Sequence, residues 1–503
     1  MPDLHPRLRT LSLGLAGTVA LLGGAATAQP AAPRCAMPDA AAGGPSNAHT
    51  RIVDTGLRPP VIQRGEKPYR LADRMRAYDV PGVSVAVIHR GKLAWARGWG
   101  LRDAATCAPV TPNTAFQAAS ISKVATAMVA LRLVEQGRLG LDRDINQFLR
   151  SWQLPRDPKL APEGVTLRQL LSHTAGLGVH GFAGYLPGAP LPTPVQILEG
   201  KAPANSPAVR STQPAGGQWT YSGGGYVVAQ LALSNVSGIP FADLADRELL
   251  RPLGMTRSAY AQPPSPALRA DIAFAHARGV PIPGNYHVYP ELGPAGLWTS
   301  ASDLARLLID VQAAASGRSG HRLSPAMART MLTPIKGNWG LGPAVYPDGA
   351  RRFGHDGLNE GFQSYMMAYA DKGEGIVVLV NGGQGRRLID EIVRAVATDY
   401  GWIEIAAPAV EEQSLTPAQR ARAAGAFEGA GLMVTLEARH DGLFAHTDAP
   451  APERLMALSA TRFRSEQRGL VVQFAPDFEG FDIIEGGPPL HFVRAKRPAA
   501  PQP

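Results

Sequence analysis

At 503 residues, 45% of them hydrophobic and 18% charged, the chain is long enough for more than one core and too apolar to stay disordered. Its formal charge of +9 comes from arginines spread along the sequence rather than gathered into a run. That pattern favours solubility, or at most a weak association with anionic wall polymers, and excludes a nucleic-acid binder.

Residues 1–28 have the layout of a secretory signal. Arg7 and Arg9 precede an apolar run from Leu11 to Leu22, and Ala26-Thr27-Ala28 offers a small-residue cleavage site. The run is too short to span a bilayer, and no later stretch approaches the needed length. The expectation is a periplasmic or secreted protein with no integral membrane segment once the signal is removed; an uncleaved anchor is the alternative. Without the signal the charge is +8. Export makes Cys35 and Cys107 candidates for a disulfide, with two free thiols as the alternative.

Residues 29–50, rich in Ala, Pro and Gly, read as a flexible lead-in. The main domain is expected over 51–402. A helical stretch around Tyr69 to Tyr78 precedes GVSVAVIHRGKLAWARGWG, two β-rich runs about Arg90-Gly91 that read as a hairpin. After a turn at Thr111-Pro112-Asn113 comes QAASISKVATAMVALRLVEQG, residues 117–137.

In this stretch Ser120 and Lys123 stand three apart at the head of an apolar helix, so their side chains share a face. A serine hydroxyl needs a neighbouring base to become a nucleophile. Val124, Ala125, Met128, Val129, Leu131, Leu133 and Val134 make the helix apolar nearly all round, so Lys123 is expected to be buried and to favour its neutral, proton-accepting form. Of the eight lysines, only Lys123 has a serine three residues before it. A chance pairing is the alternative, but an idle buried lysine is costly.

From Leu139 to Leu177 the pattern is helical with breaks, and residues 178–218 are loop-like. GGQWTYSGGGYVVAQLALSNVSG then feeds a helix beginning near Tyr226. Tyr221 is a candidate second proton carrier if cations lower its pKa, which Lys123 can do; a core tyrosine is the alternative. Ser300 reads as an N-cap, with Asp303 in the first turn. RRFGHDGLNEGFQSYMMAYA and GIVVLVN are strand-like, and RRLIDEIVRAVATDY is an amphipathic helix. Strands at both ends with helices between imply an α+β domain whose sheet is completed by its C-terminal half. Residues 403–415 read as a linker and 416–497 as a small antiparallel β domain with an Asp441-Gly442 turn.

Ser120-x-x-Lys123, Tyr221-x-Gly223 and His355-x-Gly357 occur in the order of the three motifs of the penicillin-recognising serine hydrolases. Over roughly residues 60–400 the chain resembles the branch holding class C β-lactamases, D-amino-acid peptidases and related esterases, whose framework segments LLSHTAGL, RPLGM and AGLWTSASDLARL also resemble. The resemblance implies a β-lactamase/DD-peptidase-like fold: an antiparallel sheet flanked by helices, plus an all-helical region. It also implies Ser120 as the acylated nucleophile, Lys123 and Tyr221 as proton carriers, and the backbone N–H groups of Ser120 and Leu358 as the oxyanion hole. Gly223, His355 and Gly357 fall at substrate-binding positions. Two departures stand out: Gly223 lacks the amide-contacting Asn side chain of relatives, and His355 replaces a common lysine. An unperturbed histidine there is expected to titrate near about 6.5 and bind a substrate carboxylate as a cation, or to hydrogen-bond near Tyr221.

The last domain resembles the lipocalin-like appendages of some relatives. His173 reads as a framework histidine, and His180, His287 and His321 lack metal-ligand spacing, so no metal and no cofactor are expected. Tyr286, Tyr289 and Glu291 line the cleft or serve the structure. The reading is an exported serine hydrolase acting on small amides, esters or D-amino-acid peptides, against a true β-lactamase and a non-catalytic penicillin-binding sensor.

Overall fold

The computed structural model describes Cys35 and residues 46–318, 321–347, 349–447, 451–484 and 489–495. The expected signal, 1–28, and most of the 29–50 lead-in lie outside these residues. Where the lead-in is described it departs from a loop, because Ala48–Thr55 is helical. Asn47 and Thr50 cap it reciprocally, each side chain accepting a hydrogen bond from the other's backbone N–H at 3.0 and 2.9 Å.

The described chain forms two compact units that do not follow the linear division expected at 402–416. One holds Cys35, the stretch up to Gly56 and Arg70–Val393; the other joins Leu57–Tyr69 to the chain from Arg394 onward. The reason is a strand pairing that local sequence does not announce. Ile62-Gln63 runs parallel to Ala409-Val410, inside the expected linker, and the Gln63 amide donates to Glu412 at 3.1 Å.

The first unit is built on a seven-stranded sheet. Its strands are β1 (Gly82–His89), β2 (Lys92–Asp103), β3 (Ala108–Pro109), β4 (Ala344–Tyr346), β5 (Arg352–Asn359), β6 (Phe362–Tyr369) and β7 (Gly375–Val380), in the order β3-β2-β1-β7-β6-β5-β4. The β1/β2 hairpin turns at Arg90-Gly91, where both residues have positive φ as a tight hairpin turn requires. β7, all six residues buried, pairs with β1, so the two ends of the unit close one sheet and make it α+β. Helices α1 (Ser122–Glu135) and α2 (Gly223–Ser237) are buried along most of their length, and α3 (Ala301–Ala315) starts at Ser300, whose side chain accepts from Asp303 N–H. Helix α4 (Arg386–Asp399) runs through the division at Val393, and its apolar stripe Leu388, Ile389, Ile392, Val393 and Val396 is buried.

The 139–177 stretch holds less helix than its periodicity implies: a turn at Ile145–Phe148 and a helix at Leu167–Leu171. Side chains compete for the backbone here. Asp144 accepts from Asn146 N–H at 3.1 Å, and the Asn146 amide bridges both backbone groups of Leu154. Conversely, the loop-like 178–218 stretch contains a helix, Pro194–Glu199, with a Thr193 capping box and Gly200 in the left-handed region at its end.

The second unit carries a closed antiparallel barrel with its strands in sequence order: β8 (Gly425–Gly429), β9 (Leu432–Arg439), β10 (Gly442–His446), β11 (Glu453–Ala457), β12 (Arg462–Ser465), β13 (Val471–Phe474), β14 (Gly480–Ile484) and β15 (Leu490–Arg494). Its interior is occupied by Phe427, Phe463, Phe474, Phe481 and Phe492, joined by Phe478.

Candidate active site

The turn before α1 is held from both sides. Phe116-Gln117 pairs with Trp298-Thr299, and Ala118 N–H donates to Leu297 O at 2.8 Å. The next residue, Ala119, sits at φ +50°, a conformation that costs a non-glycine residue energy and recurs where function demands it. Ser122 secures it: the fully buried hydroxyl donates to Ala119 O at 2.5 Å and accepts from Leu297 N–H at 3.0 Å. Ser122 is therefore committed to structure, while Ser120, on the single 3₁₀ turn Ala119–Ile121, keeps partial exposure.

Lys123 Nζ donates to Ser120 Oγ at 2.9 Å and to Pro294 O at 2.9 Å. The side chain is 2% exposed, and burial lowers its pKa from 10.5 to about 7, with the Asp356 charge pulling weakly upward. Among the described residues no carboxylate forms an ion pair with it. A substantial fraction of this amine is therefore neutral near pH 7, with its lone pair available beside the serine hydroxyl.

Tyr221 faces the same hydroxyl, and its phenol is hydrogen-bonded to Ser120. Lys123 Nζ lies 4.9 Å from its ring centroid, over the face. The expectation that Lys123 lowers this phenol's pKa is not met: burial raises it, the Ser120 hydrogen bond opposing and Asp356 reinforcing the shift. At neutral pH Tyr221 is a proton donor.

His173 fixes the tyrosine in place. Its ring stacks on Tyr221 at 4.2 Å, and its Nδ1 accepts from Ser222 N–H at 3.1 Å, which leaves the proton on Nε2. Burial, then the charges of Lys123, His355 and His180, hold its pKa well below the usual value, so it is a neutral wall. Trp219 and Trp339 close the same aromatic cluster, 6.1 and 5.8 Å from the Tyr221 ring. Gly223, expected at the substrate, is buried at the first turn of α2, where a Cβ would meet Phe182 at 2.9 Å and His180 O at 3.0 Å. Phe182 stands where a longer side chain at 223 would begin.

β5 supplies the opposite wall. β4 pairs only with Arg352 to Gly354, so the outer edge of β5 from His355 onward has no strand beside it. In the two-residue hairpin at Glu360-Gly361 the closing pair Asn359–Phe362 is the hydrogen-bonded one, so by alternation Leu358 N–H points outward to that edge. The Ser120 turn packs there. A Cβ at Gly357 would lie 2.4 Å from both Ala118 O and Ser364 Oγ and 3.0 Å from the Ala119 Cβ, so only glycine lets strand and turn approach this closely. This geometry suits an oxyanion hole formed by Leu358 and Ser120 N–H groups.

His355 does not act as the titrating cation expected of it. Its ring is buried, Nδ1–H donates to Asp356 O at 2.5 Å, and Nε2 is buried without a hydrogen-bond partner. Burial, with a further downward push from Lys123 and an upward pull from Asp356, sets its pKa at about 4. The imidazole is neutral at working pH because there is no solvent around it to stabilise the charge.

The structure thus brings Ser120, Lys123, Tyr221 and Gly357 together, with Leu358 presented at the edge. Cys35 and Cys107 are bonded to each other in this unit, their Cα atoms 5.6 Å apart. Tyr286, Tyr289 and Glu291 are all buried. Sequence reasoning missed Ser122, His173 and the Pro294 carbonyl as parts of the site. Only His173 carried a signal, its place in LLSHTAGL.

The model of the β-lactamase family matches residues 70–399. The chain belongs to that family and is a serine hydrolase of the β-lactamase type. It is 27% identical over 377 residues to penicillin-binding protein 4 of Amycolatopsis lactamdurans, across 70% of this chain and 94% of the relative. To esterase EstB of Burkholderia gladioli it is 28% identical over 275 residues, across 48% of this chain and 67% of the esterase. The octameric penicillin-binding protein homologue from Pyrococcus abyssi shares the fold, with a TM-score of 0.58 and 23% identity over 84% of this chain and 98% of that one.

Proposed function

We propose that this protein is an exported hydrolase that cleaves small amides, esters or D-amino-acid peptides through an acyl-enzyme on Ser120. The observation that carries the reading is the buried Lys123 amine 2.9 Å from Ser120 Oγ. As Oγ attacks the substrate carbonyl, neutral Lys123 takes its proton. The oxyanion forms against the N–H groups of Ser120 and Leu358, and the Tyr221 hydroxyl passes a proton to the leaving group, replenished from the Lys123 ammonium. Deacylation repeats the sequence with water in place of Oγ. The Cys35–Cys107 disulfide supports export, since such bonds persist in oxidising compartments.

The test is a serine-directed phosphonate followed by a panel of a D-peptide, a p-nitrophenyl ester and a cephalosporin. A burst followed by steady ester or D-peptide turnover is expected. A single burst without turnover identifies a sensor, and preferred turnover of the cephalosporin identifies a β-lactamase.

A further inference from the structure

β5 presents two side chains outward in the segment packed against the Ser120 turn. Asp356 is 61% exposed at its side chain and Leu358 is 67% exposed. The one inward side chain between the hairpin turn and Gly354 that carries a ring nitrogen, His355, holds no charge. Asp356 and Leu358 both project from the face of β5 opposite the Cβ direction of Gly357, which meets the Ser120 turn, yet Asp356 Oδ1 reaches to 3.9 Å from His355 Nδ1, so the charge nearest the histidine is negative.

The nearest cation is already engaged. Arg386 Nη1 donates to Asp356 Oδ2 at 2.8 Å, and Arg386 Nε donates to both oxygens of Asp390 at 3.1 and 3.2 Å. One guanidinium between two carboxylates leaves the group with a net negative charge. A substrate carboxylate arriving here meets Asp356, and the guanidinium it would seek is already shared between two carboxylates. Asp356 also acts at the reacting centre, since its charge pulls the Lys123 and His355 protons tighter and disfavours a Tyr221 phenolate.

We propose that Asp356 sets the substrate class of this site, selecting against substrates with a carboxylate beside the scissile bond and for neutral or cationic esters and amides. This rests on the acyl-enzyme reading above and narrows it. It also separates the protein from enzymes that grip a carboxylate at the same strand, because the position next to the histidine is occupied by the charge such a substrate carries.

The experiment uses three phenyl esters with one acyl group, their leaving phenol bearing a carboxylate, a carboxamide or a trimethylammonium group, each rate corrected for reactivity toward hydroxide. In the wild type kcat/KM is expected to rise from carboxylate to carboxamide to trimethylammonium. Asp356→Asn should raise the carboxylate-to-carboxamide ratio about tenfold at low ionic strength, as expected for one charge a few ångströms away in partly aqueous surroundings. That gain should shrink in 0.5 M salt, where the Debye length is about 4 Å. Arg386→Gln, which leaves Asp356 uncompensated, should lower the same ratio. A purely structural role would move all three esters together. An unchanged ratio in Asp356→Asn, or a wild type that prefers the carboxylate ester, overturns the proposal. If Ser120→Ala hydrolyses all three esters at the wild-type rate, the acyl-enzyme reading itself has failed; Ser120-dependent turnover with an unmoved ratio rejects the role of Asp356 alone.

Discussion

The two closed interiors of this protein are made of opposite materials. The barrel core is phenylalanine packed on phenylalanine: Phe474 lies 5.1 to 5.9 Å from the rings of Phe427, Phe463, Phe478 and Phe481. The unit that holds Ser120 instead encloses Lys123, His173, Glu291 and His355, each 5% exposed or less. Burying titratable groups without counter-charges costs stability, and nothing in the sheet and helix framework needs them there. The difference teaches where chemistry resides: the barrel interior is built for stability at any pH, the other for pKa values that solvent does not allow.

The largest effect is expected within one turn of the chain. Ser120→Ala should remove phosphonate labelling and reduce kcat on the order of 10⁵-fold, as losing a nucleophile does in comparable sites. Ser122→Ala, two residues on, should keep the label and lose stability, about 1–3 kcal/mol, because Leu297 N–H is left buried without its acceptor. Labelling that follows Ser122 instead of Ser120 would reverse the assignment.

Lys123→Met should cost roughly 10³-fold in kcat, the range of a lost general base. The wild type should gain kcat/KM as pH rises through about 7, where the amine becomes neutral. Stability must move too. Between about 7 and 10.5 the unfolded chain holds a proton on Lys123 that the folded chain does not, so the wild type is stabilised as pH rises through this window and penalised fully below it. From pH 6 to 9 it should therefore gain about 3 kcal/mol on the Met variant in denaturant titrations. A pH-independent difference would mean that Lys123 is solvated.

How much of this was legible in the sequence depends on how far apart the partners lie. The pairing of Ser120 with Lys123 is local, as is the hairpin at Arg90-Gly91, and periodicity or turn chemistry suffices to read them; the segment around Glu360-Gly361 reads only as strand. The partners that tune the site are remote. Lys123 meets the Pro294 carbonyl, Ser122 meets Leu297 N–H, and Ser222 meets His173, contacts made by tertiary packing that leave no pattern at either end. The same reason hid the neutrality of His355. A motif fixes which residue stands at a position, while the pKa is fixed by how much water the surrounding rings exclude. At Leu139 to Leu177 the failure was different, for there the apolar spacing was helical but Asp144 and Asn146 claimed the backbone for turns.

The barrel offers the complementary test. Phe474→Ala should destabilise its unit by about 3–5 kcal/mol, the usual cost of emptying an aromatic core site. The loss should be the same at pH 5 and pH 9, because Phe474 packs on other phenylalanine rings, none of which titrates. A pH-dependent loss would show that the barrel core is not the purely apolar interior described above.

Glu291 gives the smallest and most discriminating effect. Like Lys123 it is buried with a pKa of about 7, raised by burial from 4.5 against an opposing pull from its own backbone N–H, and no other group hydrogen-bonds its two carboxylate oxygens. It immediately precedes the short helix Leu292–Ala295, whose Pro294 carbonyl accepts from Lys123. Below pH 4.5 both folded and unfolded chains carry the proton and no penalty arises. Between 4.5 and about 7 the unfolded chain ionises first and stability is lost; above 7 the full cost of a buried, unpartnered carboxylate remains, about 3 kcal/mol at most. Glu291→Gln keeps the shape and removes the charge. It should therefore match the wild type near pH 4.5 and exceed it at pH 8, with Tm measured at both values. Comparing the variant with the wild type at each pH cancels the Lys123 contribution, which runs in the opposite direction. If the glutamine variant is no more stable at pH 8 than the wild type, Glu291 has a partner in solution, and the unit that holds Ser120 has one fewer strained charge than the contrast with the barrel requires.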